Sequence, residues 1–208
     1  MTPRVLLFDF DGTIADTAAT MVEIYNTIAV QDGYRTIDAR TLVGLRNQSA
    51  RDAIRSLGIP LFQMPFVLAR LRRGLHARIH TVRVIDGMPP VLDDLKARGY
   101  RLAIVTSNSS DNVRQFLDGN AIRAIDDVHA DHNLFRKHRV IARLMRERGW
   151  SPDDLVYVGD ESRDVEMARR CGIRIISVTW GYNTRELLAD AKPDALIDRP
   201  SDLTDVLA

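Results

Sequence analysis

The stretch that decides the fold is Leu6-Leu7-Phe8-Asp9-Phe10-Asp11-Gly12-Thr13-Ile14-Ala15-Asp16-Thr17. An apolar run ends in two aspartates one residue apart. In an extended strand, side chains at i and i+2 point the same way, so Asp9 and Asp11 are expected to converge just beyond the strand end. Gly12 lets the chain turn sharply after them. Two carboxylates forced together demand a neutralising cation or a retained proton. Either solution makes a chemically active site. Asp and Gly are also ordinary turn residues, so the motif does not decide alone.

Working outward, apolar strand-like runs recur at Val5–Phe8, Leu102–Val105, Leu155–Val158, Ile173–Val178 and Ala195–Ile197. Helix-patterned segments at Pro89–Arg98, Ser110–Asp118, Lys137–Arg148 and Ser162–Arg170 separate most of them. This alternation predicts an α/β fold of βαβ units around a parallel sheet. Ligands then bind beyond the carboxyl ends of the strands.

From Thr17 to Val84 the alternation breaks. Ala18–Val30, Ala50–Leu57 and Phe66–Ile79 are patterned as helices, with Gly33, Gly58 and Pro60 as breaks. The expected organisation is a core of residues 1–16 and 85–208 interrupted by a helical cap at 17–84. Net charge is +1 overall, yet this stretch holds ten Arg against four Asp or Glu, a local charge of +6. A basic insertion in an acidic frame suits an anionic ligand held between them, although a solvated face would read the same way.

At 208 residues and 45% hydrophobic composition the chain can bury a full core. No apolar stretch approaches the roughly 20 residues of a membrane span. The strand begins directly after Met1-Thr2-Pro3-Arg4, which leaves no signal peptide to expect. The single cysteine, Cys171, cannot form an internal disulfide, so the reducing cytoplasm is the expected compartment. Cys171 closes a helix pattern and reads as a small packing residue.

Three further motifs carry chemistry. At Arg101–Asn108 a strand delivers Thr106, and Ser107 and Asn108 lead into a helix start, where a hydroxyl and free amides suit a phosphate oxygen. A plain helix cap by Ser107, Asn108 or Ser109 is the alternative. Lysine is rare here: only Lys96, Lys137 and Lys192 among 29 basic residues. Lys137, between Arg136 and His138, therefore hints at a compact ammonium where a guanidinium would not fit. In Tyr157-Val158-Gly159-Asp160-Glu161-Ser162-Arg163-Asp164, Asp160 and Asp164 share one side of a helix start. With Asp9 and Asp11 they would make an oxygen-rich site suited to Mg²⁺; as acids at a helix N-terminus they would also simply favour the macrodipole.

Together, in this order, these motifs resemble those of the haloacid dehalogenase-like hydrolase superfamily, of the phosphoglycolate phosphatase-like type, across essentially the whole chain. The resemblance implies a Rossmann-like three-layer core with a helical cap. It implies Asp9 as the nucleophile that becomes an aspartyl-phosphate, and Asp11 as general acid and base. It implies Mg²⁺ held by Asp9, the Asp11 backbone carbonyl and Asp160, with Asp164 orienting that shell. Thr106, Ser107, Asn108 and Lys137 would hold the phosphoryl group.

A carboxylate at the Asp11 position favours phosphate esters over halides, because an alkoxide leaving group needs a proton. The cap contains no lysine for the imine of phosphonate-cleaving relatives. Arg46, with Asn47 and Gln48, falls where related caps carry a specificity loop, and could pair with a substrate anion. The Arg70–Arg78 run reads as a solvated helix face, and Trp180–Asn183 as a loop at the active-site end of the sheet.

Relatives close to phosphoglycolate phosphatase follow the lysine with Pro; here His138 follows, which argues against phosphoglycolate itself. The segment Asp126–Leu134 reads as neither strand nor loop. The expected activity is a Mg²⁺-dependent phosphatase on a small phosphorylated metabolite, acting as monomer or homodimer without nucleic acid or membrane partners. The alternatives are a phosphomutase of the β-phosphoglucomutase type and a non-catalytic binding or regulatory module.

Overall fold

A computed structural model of the chain describes residues 4–131 and 136–207. A six-stranded, all-parallel sheet lies at its centre. Its strands are β1 (Val5–Phe8), β4 (Arg101–Thr106), β5 (Asp127–Ala130), β6 (Leu155–Gly159), β7 (Arg174–Val178) and β8 (Ala195–Ile197), in the order β5-β4-β1-β6-β7-β8. Val5 pairs with both Arg101 and Leu155, so β1 is central. The chain builds outward from β1 in one direction and then the other. The carboxyl end of β1 is therefore the switch point where such sheets place a ligand.

Both faces of the sheet are buried, and strand parity sorts them. Leu6, Phe8, Leu102, Ile104, Val156, Val158 and Ile176 belong to one apolar cluster. Val5, Leu7, Ala103, Val105, Leu155, Tyr157 and Ile175 belong to the other. Continuous apolar strands of this kind are what a doubly covered parallel sheet requires. The helices α5 (Met88–Ala97), α6 (Ser110–Gly119) and α10 (Asp202–Val206) cover the first face through Leu92, Phe116 and Leu203. The second face packs on α7 (Lys137–Arg148) and α8 (Ser162–Cys171) through Ile141, Leu144 and Val165. A short helix, α9 (Arg185–Asp190), precedes β8.

Between β1 and α5 the chain forms α1 (Ala18–Asp32), α2 (Ala39–Arg46), α3 (Ala50–Ser56) and α4 (Met64–Arg78). These helices share a small apolar cluster of their own that includes Tyr25, Ile54, Leu57 and Val67. The chain leaves and re-enters the core through a two-stranded antiparallel ribbon, β2 (Ala15–Asp16) on β3 (Arg83–Val84). The helical reading of this stretch agrees with the structure except at α2, which the periodicity did not mark. Its eight residues are held by an Asp38 cap on the Thr41 amide and contain no buried residue, so they carry no apolar stripe.

Two other differences have simple causes. β5 is an edge strand whose four residues are all half-buried, so Asp127-Val128-His129-Ala130 has no apolar signature. Of the uncertain segment Asp126–Leu134, residues 132–134 lie outside the described residues, as do 1–3, 135 and 208. In the Arg70–Arg78 run, Arg70 and Arg78 face outward to Asp32 and Glu23. The same helix also turns Arg72 and His76 onto the core, where they meet the Ser107 carbonyl and Asn112. Cys171 is half-buried, and burial pushes its thiol pKa up.

Phe10 and Phe116 join the strand end to α6 edge to face, with centroids 5.1 Å apart at 87°. Phe116→Ala removes this contact and opens a cavity beside the site. It is expected to lower stability by about 3–5 kcal/mol, measured by urea unfolding.

Candidate active site

Strand parity carries β1 directly into the site. Asp9 continues the Val5–Leu7 face and so meets α7 and α8, whereas Phe8 and Phe10 turn to the opposite core. Asp9 is buried, with Oδ1 accepting from the Phe10 amide at 2.7 Å. Its Oδ2 lies 2.6 Å from Lys137 Nζ. The same ammonium donates to Asp164 Oδ1 at 3.0 Å and to the Tyr157 hydroxyl at 2.8 Å. Tyr157 in turn donates to the Val105 carbonyl at 3.0 Å. All three protons of a lysine are thereby placed, two on carboxylates. Burial alone would lower the Lys137 pKa, but Asp164 and Asp9 outweigh it and hold it above the ordinary lysine value.

Asp160 ends β6 and is fully buried. Its Oδ1 accepts from the Thr13 hydroxyl at 2.8 Å, and its Oδ2 from the Tyr182 amide at 2.7 Å. Gly12, at φ +78°, and Gly181 both press on this carboxylate so closely that a Cβ at either would be driven into it. Asp164 sits at the third position of α8, where it closes a capping box with Glu161. Carboxylate oxygens of Asp9, Asp160 and Asp164 all lie within 4.8 Å of one another.

The charges there do not balance. Asp9 is held above the usual carboxylate range by burial, with Lys137 opposing and Asp164 adding to the rise. Asp160 is pushed well above it by burial and by Glu161, Asp9 and Asp164. A buried guanidinium, Arg163, is nearby but is ion-paired with Glu161. Three clustered carboxylates with one shared ammonium fit a hard divalent cation with oxygen ligands, Mg²⁺ or its chemical neighbours. Asp9, Asp160 and Asp164 are the side chains that could hold it. The Asp11 carboxylate is not in this cluster, because it is drawn aside.

What draws Asp11 aside is Asn108, whose Nδ2 donates to both Asp11 oxygens at 3.1 Å. Burial and then Asp9 raise the Asp11 pKa to about 7, against the lowering effect of Thr17 and Asn108. Asn108 Oδ1 accepts from Asn112 Nδ2 at 2.9 Å. Asn112 Oδ1 lies 2.8 Å from His76 Nδ1 on α4. A polar chain thus runs from the inserted helices to Asp11.

Thr106 is buried at the end of β4, and its hydroxyl accepts from the Asn108 amide at 3.0 Å. The Ser109 and Asn112 amides are taken up by Asn108 Oδ1 and Ser109 Oγ. The helix-start amides nearest Thr106 are therefore largely engaged within the chain, and Ser109 is the cap. Ser107 lines the space above Asp11.

Arg46 is in the last turn of α2 rather than a loop. It donates to the Gly181 and Tyr182 carbonyls at 3.0 and 3.2 Å. Asn183 Nδ2 and the Thr184 amide reach back to the Arg46 carbonyl. This fastens the inserted helices to the loop whose Tyr182 amide holds Asp160. Trp180 packs beside it and donates to the Thr13 carbonyl at 3.1 Å. Sequence reasoning assigned no part in the site to Thr13, Asn112 or Tyr157, although Thr13 had a signal in its place in the first motif; Tyr182 lies in the loop already read at the active-site end of the sheet.

Comparison with known proteins identifies the family. The family model described as "Haloacid dehalogenase-like hydrolase" matches residues 6–178. A phosphoglycolate phosphatase of Synechococcus elongatus is 38% identical over 201 residues, covering 96% of this chain and 95% of its own. A tyrosine-protein kinase of Mycobacterium tuberculosis, PtkA, is 28% identical over 89% of this chain and 65% of its own. The crystal structure of a predicted phosphatase from Clostridium acetobutylicum superposes with a TM-score of 0.85 at 22% identity, covering 100% of this chain and 99% of the other.

A carboxyl that keeps its proton to about pH 7 when folded, but releases it near 3.8 when unfolded, makes the folded state lose stability as pH rises between those values. In EDTA, the wild type is therefore expected to lose more stability across that window than Asp11→Asn. Urea unfolding at several pH values measures the difference, and parallel curves would contradict it.

Proposed function

From the premise that this chain belongs to the haloacid dehalogenase-like hydrolase family, we propose that it is a Mg²⁺-dependent phosphatase of a small phosphomonoester, working through an aspartyl-phosphate. The observation that carries this reading is Asp9: a buried carboxylate at the strand end, oriented by Lys137 and the Phe10 amide, with Asp11 next in line. The phosphatase relative supports the reaction class, and the oxygen-only donor set supports the metal.

In the proposed reaction an Asp9 oxygen attacks phosphorus and the bond to the ester oxygen breaks. Asp11 gives its proton to the departing oxygen. Its pKa of about 7 suits that role, since a general acid works best near the operating pH. Water then attacks the phosphorus of the aspartyl-phosphate, Asp11 takes up a proton, and inorganic phosphate leaves with Asp9 restored. Lys137 offsets the charge that gathers as an anionic phosphoryl group approaches a carboxylate, and the Thr106 hydroxyl would donate to a phosphoryl oxygen. Mg²⁺ in the Asp9–Asp160–Asp164 cluster, with the Asp11 carbonyl, would add Lewis-acid charge at the same oxygens.

Helices α1–α4 are proposed as the cap, spanning 17–84 on a core of 1–16 and 85–208. The Arg46 latch and the His76–Asn112–Asn108 chain are the contacts by which a closed cap would exclude water and aim Asp11. No described helix is long and apolar enough to cross a membrane. One half-buried free thiol suits a reducing cytoplasm.

Phosphate release from p-nitrophenyl phosphate tests the reading, comparing wild type with Asp9→Asn in Mg²⁺ and in EDTA. Release in Mg²⁺ is expected to fall on the order of 10³-fold or more in the variant, and to vanish for wild type in EDTA. Undiminished release by Asp9→Asn would overturn the assignment of the nucleophile.

A further inference from the structure

Above Asp11, between the catalytic floor and α1, α3 and α4, lies a cavity of about 250 Å³. Its floor is Asp11, Ser107 and Asn108, and its walls are mostly aliphatic, among them Ile54, Val67 and Leu75, with Arg72 and Arg163 also lining it. It adjoins a second cavity of about 210 Å³ beneath α2, walled mainly by Val22, Ile37, Leu42 and Leu45, with Arg46 beside them. The two share seven residues, among them Met21, Ala53, Leu71, Glu161 and Tyr182.

Both spaces are clefts open to solvent and lined mostly by apolar side chains, a setting in which a small apolar group gains by burial.

The position of the chamber identifies what would fill it. If Asp11 protonates the leaving oxygen, the group attached to that oxygen must rise from Asp11 into this space. A two-carbon carboxylate would leave most of the chamber unfilled, and the cations that line it are the guanidiniums of Arg72 and Arg163. The guanidiniums at the edge, Arg72 and Arg163, already donate to the Ser107 carbonyl and pair with Glu161. An apolar group would instead gain from every methylene buried.

We propose, resting on the phosphatase reading above, that the alcohol released by this enzyme is predominantly apolar, an alkyl or aryl group well beyond two carbons in size. Substrate selection then comes from the aliphatic faces of α1, α3 and α4 and not from a cap cation.

The experiment is kcat/KM with Mg²⁺ for monoalkyl phosphates from ethyl to hexyl, beside phosphoglycolate. The expected result is a rise of about two- to fourfold per buried methylene, with hexyl phosphate far above phosphoglycolate. Ala53→Phe, which fills the shared wall, is expected to flatten the rise. A flat or falling series, with phosphoglycolate preferred, would overturn the proposal and leave the phosphatase reading standing. If no ester is hydrolysed, the phosphatase reading fails, and calorimetry with non-hydrolysable alkylphosphonates still decides the chamber. Affinity that grows from ethyl- to hexylphosphonate supports it; equal affinity overturns it.

Discussion

The shared ammonium of Lys137 is the interaction on which the rest of the site depends. It lies between Asp9 and Asp164, out of water, with Tyr157 as its third partner. A buried carboxylate without a partner is strongly unfavourable, and removing one member of a buried pair leaves the other uncompensated. Lys137 favours the ionised form of Asp9 against the burial that opposes it. Asp160 enlarges the same problem, since it adds a third buried carboxylate without adding a cation. The imbalance suits the cluster to a cation more than to a closed salt bridge.

The fold converts this local demand into position. Because β1 is central and buried on both faces, its parity cannot slip without exposing Leu6 and Leu7, each fully buried. The same parity sends Asp9 toward α7 and α8. The loop after β7 then does two things at once. Its Tyr182 amide holds Asp160, and its Gly181 and Tyr182 carbonyls accept from Arg46 of the inserted helices. Tyr182 also shares a hydrogen bond with Thr17, beside the ribbon through which those helices are joined. The acidic cluster and the inserted helices therefore meet in one loop.

Much of this was legible in the residues. The apolar runs of β1, β4, β6, β7 and β8 announce a parallel sheet because such strands are buried on both faces. Asp9, Asp160 and Lys137 stood out because carboxylates at strand ends, and a lone lysine among arginines, are chemically specific choices. The elements that escaped lack the signal such reading depends on. α2 has no buried stripe, β5 is a half-buried edge, and β2 and β3 are two residues each. Asn108 reads locally as a helix-start residue, yet its amide grips a carboxylate 97 positions earlier. Arg46 reads as a candidate for substrate, and in the structure it also latches onto the Gly181 and Tyr182 carbonyls. Tyr157 reads as one more apolar strand position. Its hydroxyl becomes visible as a lysine partner only when β6 and α7 are brought together.

Calorimetric titration of the metal-free protein with Mg²⁺, wild type against Asp160→Asn, tests the charge imbalance most directly. The exchange keeps the shape of the side chain and removes one buried negative charge. The account predicts a single saturable Mg²⁺ site in wild type that is lost or greatly weakened in Asp160→Asn. A wild type that takes up no Mg²⁺, or a variant that binds it equally well, would contradict it.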